Sequence, residues 1–107
     1  MSELTDQEFA VQADLAIEAA QKALLPLADA EDFEVELQNS VLQVIFEEPK
    51  PAKFVVSPNA PVRQIWVSAL SRSFKLGWAG PADGFCLDGE RLPALLDRLA
   101  RTQLGLL

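Results

Sequence analysis

The chain has 107 residues, half of them hydrophobic, which predicts a single domain over residues 1–107 with one core. It contains no His and one Cys, which excludes Ser–His triads, His-dependent metal motifs and an internal disulfide. No apolar run approaches the roughly 20 residues of a membrane span, and the acidic N-terminus lacks a signal-peptide pattern, so a cytoplasmic protein is expected.

The first predicted element is a helix that begins after Thr5. Thr5 and Glu8 have the spacing of a capping box, in which each side chain accepts a hydrogen bond from the other residue's backbone. Apolar residues then recur at helical spacing. They are Phe9, Ala13, Ala16, Ile17, Ala20, Ala23, Leu24 and Leu27. Pro26 is expected to end this helix or to kink its last turn.

Short strand-like runs separated by turn residues follow the helix. The predicted strands are residues 33–37, 41–46, 53–57, 63–69, 73–78 and 85–87. The short connections favour an antiparallel meander. A second helix is predicted to begin near Glu90, with Pro93 tolerated in its first turn and four leucines facing inward. The apolar tail at 104–107 is expected to fold back and close the core.

These elements predict an α+β fold: a two-layer sandwich with both terminal helices on one face of a twisted antiparallel sheet of five or six strands. Alternation assigns one set of side chains to the covered face: Phe33, Val35, Leu37, Leu42, Val44, Phe46, Ile65, Val67, Phe74, Leu76 and Trp78. The opposite face then carries Asp32, Glu34, Glu36, Gln43, Gln64, Trp66, Ser68 and Lys75. A Trp on a polar sheet face indicates a recognition surface, because Trp is a frequent interface anchor.

Charge is distributed unevenly along the chain. Residues 1–48 contain twelve acidic residues and one base, whereas residues 49–107 contain four acids and eight bases, and the net charge is −7. No part carries the clustered basic stripe that nucleic-acid binding requires. The acidic half either attracts cations or a basic protein partner, or is only a solubilising surface.

Three segments carry a resemblance to a known family. They are Gln64-Ile65-Trp66, the strand SFKLGW at 73–78 and the sequence FCLDGERLPALL at 85–96. Together they resemble the frataxin family, in which two helices cover one face of an antiparallel sheet. The resemblance implies that an acidic ridge binds iron weakly and exchangeably, as Fe²⁺ or Fe³⁺. That ridge corresponds to Asp14, Glu18, Asp29, Glu31, Asp32, Glu34 and Glu36.

The resemblance also implies partners and a role. The exposed sheet face of frataxins contacts the cysteine desulfurase and the scaffold protein of iron–sulfur cluster assembly, and here that face would be Gln64, Trp66, Ser68 and Lys75. The expected role is a non-enzymatic iron donor or regulator, monomeric without iron, with at most weak ferroxidase activity by resemblance.

The chain departs from the family at several positions. The end of the first helix, usually acidic in frataxins, reads Gln21, Lys22, Leu25 and Pro26, and Ser57 stands where the family often has Asn. These changes leave the ridge with fewer acidic residues than is usual in the family. The alternative function is a small acidic chaperone for secreted proteins with no metal role, a class that usually dimerises through an apolar surface.

Overall fold

The first helix, α1, spans Asp6–Glu31 in the computed structural model, which describes residues 4–107. Its predicted capping box is confirmed: Oγ1 of Thr5 accepts the Glu8 N–H at 3.1 Å, and Oε1 of Glu8 accepts the Thr5 N–H at 2.9 Å. The inward stripe is confirmed for most positions, since Phe9 and Ile17 are almost fully buried. The prediction is wrong for Ala23, which is exposed.

Pro26 does not end α1, contrary to one of the two expected outcomes. The helix continues for five residues to Glu31, and the N–H of Asp32, in the left-handed conformation, donates to Ala28 O at 2.8 Å. Leu27 and Ala28 are buried beyond the proline. Their burial compensates for the one backbone hydrogen bond that proline cannot donate.

Within residues 4–107, seven antiparallel strands form one sheet in strict chain order, one more than the upper predicted number. Their bounds are β1 Glu34–Gln38, β2 Val41–Phe46, β3 Ala52–Asn59, β4 Gln64–Ala69, β5 Arg72–Trp78, β6 Phe85–Leu87 and β7 Glu90–Arg91. The additional strand, β7, pairs with β6 across the Asp88–Gly89 turn. The second helix, α2, therefore begins at Leu92 and extends to Gln103.

Both helices cover one face of the sheet, and the predicted two-layer architecture is confirmed. Phe33, Leu42, Val44, Phe46, Ile65, Val67, Phe74 and Leu76 are buried as expected, whereas Val35, Leu37 and Trp78 are half-buried. Phe54, Val56 and Phe85 are further core residues on the sheet. Leu92, Leu95, Leu96 and Leu99 form the inward face of α2 as predicted. Neither helix in the described part of the chain is long and apolar enough to cross a membrane.

The C-terminal tail is only partly in the core. Leu104 packs against the core, but Leu106 and Leu107 are exposed by 47% and 74%, so the expectation that the whole tail closes the core is wrong. Gly105, at φ 78°, terminates α2, and the N–H of Leu106 donates to Arg101 O at 2.8 Å. This Schellman arrangement directs the last two residues away from the helix.

Candidate docking face and acidic edge

The sheet face that the helices leave uncovered, here called the open face, has Trp66 near its middle. Trp66 lies opposite Ser57 on β3 and opposite Lys75 on β5. Its side chain is 37% exposed, whereas Ile65 and Val67 on the other side of the same strand are buried. The predicted side of the sheet is therefore correct for Trp66. Its role in binding stays a prediction.

Neighbouring side chains hold the Trp66 indole in place. Its Nε1–H donates to Oε1 of Gln64 at 2.8 Å, and the Lys75 ammonium nitrogen lies 4.9 Å from the ring centroid. A cation at that distance over an indole face contributes about 0.5–1 kcal/mol at an exposed site. Ser68 follows on the same face, opposite Ser73. The structure therefore brings Gln64, Trp66, Ser68 and Lys75 together on adjacent strands.

The open face also contains apolar residues that alternation did not reveal. Val41, Ile45 and Val55 share this face, according to the strand register, and all three are half-buried. Val55 lies opposite Ser68 on β4. In β2 both faces are apolar, so the sequence VLQVIF gives no clean alternation to read. The face is therefore an apolar patch framed by polar groups rather than a wholly polar surface.

Acidic residues gather at one edge of this face, where α1 ends and β1 begins. Glu34 and Glu36 are exposed on β1, which is an edge strand, and Asp29 and Glu31 lie in the last turn of α1. Asp32 and Glu34 line a surface depression of about 220 Å³. Glu47 and Glu48 line it too. These two glutamates were not among the predicted site residues, although their position directly after β2 brings them to the same edge.

The remaining predicted acids, Asp14 and Glu18, lie in the first half of α1. Oδ1 of Asp14 accepts a hydrogen bond of 2.8 Å from the Ser40 hydroxyl in the β1–β2 turn. With a rise of 1.5 Å per residue, Asp14 and Asp29 are about 22 Å apart along the helix. The predicted ridge therefore divides into two groups: one runs from the end of α1 along β1 to Glu36, and the other, Asp14 and Glu18, lies in the first half of α1.

The described residues form no ready-made metal cage. Within residues 4–107, no group of three or more Asp, Glu, His or Cys side chains is arranged so that it could hold a metal ion. The acids of both groups are solvent-exposed. Such carboxylates can offer oxygen ligands to a hydrated cation, but they do not enclose it.

Comparison with known proteins adds family information to this geometry. A family model described as a frataxin-like domain matches residues 2–106. The iron-sulfur cluster assembly protein CyaY of Janthinobacterium sp. (strain Marseille) is 31% identical over 105 residues, covering 96% of this chain and 93% of the relative. The protein of the same name from Herminiimonas arsenicoxydans is 30% identical over 104 residues, covering 95% and 92%. That from Pseudomonas aeruginosa is 32% identical over 93 residues, covering 83% and 84%.

Proposed function

Because this chain belongs to the frataxin-like family, we propose that it acts in iron–sulfur cluster assembly as a non-enzymatic protein that donates iron or regulates the machinery. Its partners in this proposal are a cysteine desulfurase and the scaffold protein on which clusters form. It would act in the cytoplasm, as a monomer in the absence of iron.

The observation that carries the proposal is the concentration of acids where α1 ends. Asp29 and Glu31 lie in the last turn and Asp32 is the C-cap, yet that turn contains no basic residue. The C-terminus of a helix carries partial negative charge, so each acid there is unfavourable by about 0.3–1 kcal/mol at low ionic strength. A bound cation or a basic partner surface would relieve that repulsion. Placing acids at this position therefore favours a binding role over simple solubility.

Iron is the proposed cargo of the acidic edge. The carboxylates of Asp29, Glu31, Asp32, Glu34 and Glu36 offer hard oxygen donors, which suit Fe³⁺ and are acceptable to Fe²⁺. Because no three ligands are preassembled in the described residues, each ion would keep much of its water and exchange readily. Weak, exchangeable binding suits delivery or sensing. Asp14 and Glu18 would form a second, separate contact in the first half of α1.

Docking would use the acidic edge and the open face together. A basic patch on the desulfurase would approach the acids, since opposite charges steer association at long range. Trp66 would then insert as the anchor, with Gln64, Ser68 and Lys75 around it. The half-buried Val41, Ile45 and Val55 would supply apolar contact between anchor and edge. Aromatic anchors surrounded by such contacts dominate the free energy of binding at many interfaces.

The family membership favours this role over the alternative of an acidic chaperone for secreted proteins. A chaperone of that class would dimerise through an apolar surface and would not respond to iron.

The test is direct binding to a purified cysteine desulfurase by calorimetry, with and without Fe²⁺. We expect a complex whose affinity decreases as salt is raised, because exposed charges are screened. We also expect weak Fe²⁺ binding to the free protein. Absence of any complex at low salt would overturn the proposal.

A further inference from the structure

A groove of about 600 Å³ lies on the helix side of the sandwich, away from the open face. It runs between the first turns of α1 and the segment that follows β5. Leu4, Val11, Trp78 and Pro81 give it an apolar lining, and Gln7 and Gln12 add amide groups. Its volume falls within the range of about 300–1,000 Å³ that is typical of ligand-binding clefts.

The aromatic side chain in the groove is held by the core beneath it. Trp78 is half-buried, and its ring lies 5.1 Å from the ring of Phe85, edge to face. Phe85 in turn lies 5.7 Å from Phe9 on α1. An indole packed in this way is already in position before any partner arrives, so little side-chain freedom is lost on binding.

Exposed aliphatic residues extend the groove along the helix. Val11 is 53% exposed and Leu15 is 55% exposed, and they are one helical turn apart on the same side of α1. Nothing in the fold of residues 4–107 requires large apolar side chains there, because the inward stripe lies on the other side of the helix. A contiguous apolar strip next to a cleft marks a recognition surface.

The charge of the groove indicates what it binds. Glu8 is the one charged residue among those described that line it, and only its Oε1 is used by the capping box. The following turns of α1 add Asp14 and Glu18 before the first base of the helix, Lys22. An occupant with cationic groups is therefore favoured and an acidic one is repelled.

We propose that this groove is a second protein-docking site, which takes a segment of a partner that presents an aliphatic or aromatic side chain flanked by Lys or Arg. Apolar contact with Val11, Leu15 and Trp78 would provide the anchor, as in other helix-and-groove recognition. Because the groove and Trp66 lie on opposite layers of the sandwich, both surfaces can be occupied at once. The proposal does not depend on the role in cluster assembly.

The two tryptophans make the test specific, since each indole N–H reports one surface in a ¹⁵N-labelled sample. The probe is a short synthetic amphipathic peptide of leucine and lysine, titrated at physiological salt. We expect the Trp78 indole signal and the Val11 and Leu15 amide signals to shift while the Trp66 signal stays in place. Val11→Gln should weaken peptide affinity about tenfold, as for an anchoring contact, with an unchanged melting curve.

Leu25→Gln is the matched control, because Leu25 is 46% exposed on the same helix but does not line the groove. It should leave peptide affinity unchanged. Equal binding of a lysine–serine peptide would show charge attraction alone and overturn the proposal. If tryptamine shifts the Trp78 signal and the peptide does not, the groove binds small molecules rather than a protein segment, and the proposal is overturned. A shift of the Trp66 signal without a shift of the Trp78 signal would show that the peptide binds the open face, and would also overturn the proposal.

Discussion

The Trp66 indole donates its Nε1–H to the side-chain oxygen of Gln64, two residues earlier on the same strand and the same face, at 2.8 Å. Lys75 approaches the ring from the neighbouring strand. The most exposed aromatic side chain of the open face is therefore fixed before a partner arrives. A fixed anchor loses less conformational freedom on binding than a mobile one.

Replacing Trp66 with Ala should reduce partner binding far more than it reduces stability. The side chain is partly exposed, so we expect a smaller loss of unfolding free energy than the roughly 3–5 kcal/mol for a buried aromatic. Desulfurase or scaffold affinity should decrease by about tenfold or more. Urea unfolding and calorimetry measure the two effects. Phe54→Ala, at a site 1% exposed, is the comparison for a core loss. Equal destabilisation by the two changes would contradict the exposed assignment.

Replacing Gln64 with Leu removes the acceptor and leaves the indole in place. We expect partner affinity to decrease about threefold to tenfold, because a neutral hydrogen bond contributes roughly 0.5–1.5 kcal/mol. The melting temperature should change little. Near-ultraviolet circular dichroism should show a less ordered Trp66. If affinity stays at the native value while the indole becomes mobile, the fixed geometry is irrelevant to docking.

Reversing the charge of Glu34 and Glu36 together tests the acidic edge. Both side chains are exposed, so Glu34→Lys with Glu36→Lys should alter unfolding free energy by only about 0.5 kcal/mol per site. Fe²⁺ and desulfurase affinities should both decrease, chiefly through slower association at low salt. Calorimetry and stopped-flow association measure these effects. The control Asp83→Lys with Ala79→Lys and Ala82→Lys changes net charge equally, at exposed positions away from the acidic edge. Unchanged affinities for both ligands would remove the edge from the mechanism.

Arg63 connects the start of α1 to the sheet and should matter for stability. Its Nε–H donates to the Leu4 carbonyl at 2.9 Å, and its guanidinium also contacts Asp6 and the Ala60 carbonyl. Arg63→Ala should cost about 1.5–3 kcal/mol in urea unfolding, the range for hydrogen bonds to charged groups. Arg72→Ala, which removes only a cation over the Phe74 ring, should cost about 1 kcal/mol or less. Equal losses would show that Arg63 makes no special connection.

Glu90 and Arg98 predict a pH dependence with a defined sign. Hydrogen bonds from Arg98 to the carboxylate, at 2.8 and 2.9 Å, lower the pKa of Glu90 below its ordinary value of 4.5. Because the pKa of Glu90 is lower in the folded than in the unfolded state, the ionised carboxylate stabilises the folded protein. This contribution is complete at pH values above the unfolded-state pKa of about 4.5, and it is lost as the pH decreases through the folded-state pKa. Because Arg98 is half exposed, we expect less than about 1 kcal/mol at neutral pH.

The measurement for this pair is the difference in unfolding free energy between the native protein and Arg98→Met across the acid range. It should be constant near neutral pH and shrink toward zero as the solution becomes more acidic. A difference that grows under acid conditions has the opposite sign and would show that Arg98 does not act through the Glu90 carboxylate.

Much of the fold follows from local chemistry that the sequence displays. The Thr5–Glu8 capping box and the alternation of β4 and β5 each need only near neighbours, and both are confirmed. Of the two outcomes expected at Pro26, the end of the helix is wrong, because burial of Leu27 and Ala28 against the core extends α1 past the proline. The exposed Leu106 and Leu107 were misjudged because composition alone suggested burial, but Gly105 turns the chain outward.

The candidate site was less accessible to sequence reasoning. The side of the sheet on which Trp66 lies could be read from alternation, but the apolar patch beside it could not, because Val41, Ile45 and Val55 lie in strands with apolar residues on both faces. Glu47 and Glu48 join the acidic edge only because β2 ends beside the start of β1. The acids of α1 fall into two groups because the helix is long, which separates Asp14 from Asp29 by about 22 Å. These relationships exist only after the strands are paired.

The unbroken chain order of the seven strands turns position in the sequence into lateral position in the sheet. The acids of β1, Glu34 and Glu36, therefore lie at one border of the sheet, whereas the bases Arg72, Lys75 and Arg91 lie in strands at or towards the other border. The electrostatic field of such a sheet exerts a torque on a charged protein that diffuses toward it. The partner is therefore oriented for docking before the two surfaces touch. Exchanging Glu34 and Glu36 on β1 with Arg72 and Lys75 on β5 would keep the composition and the net charge, yet would change which side of the sheet carries each charge and so abolish that alignment.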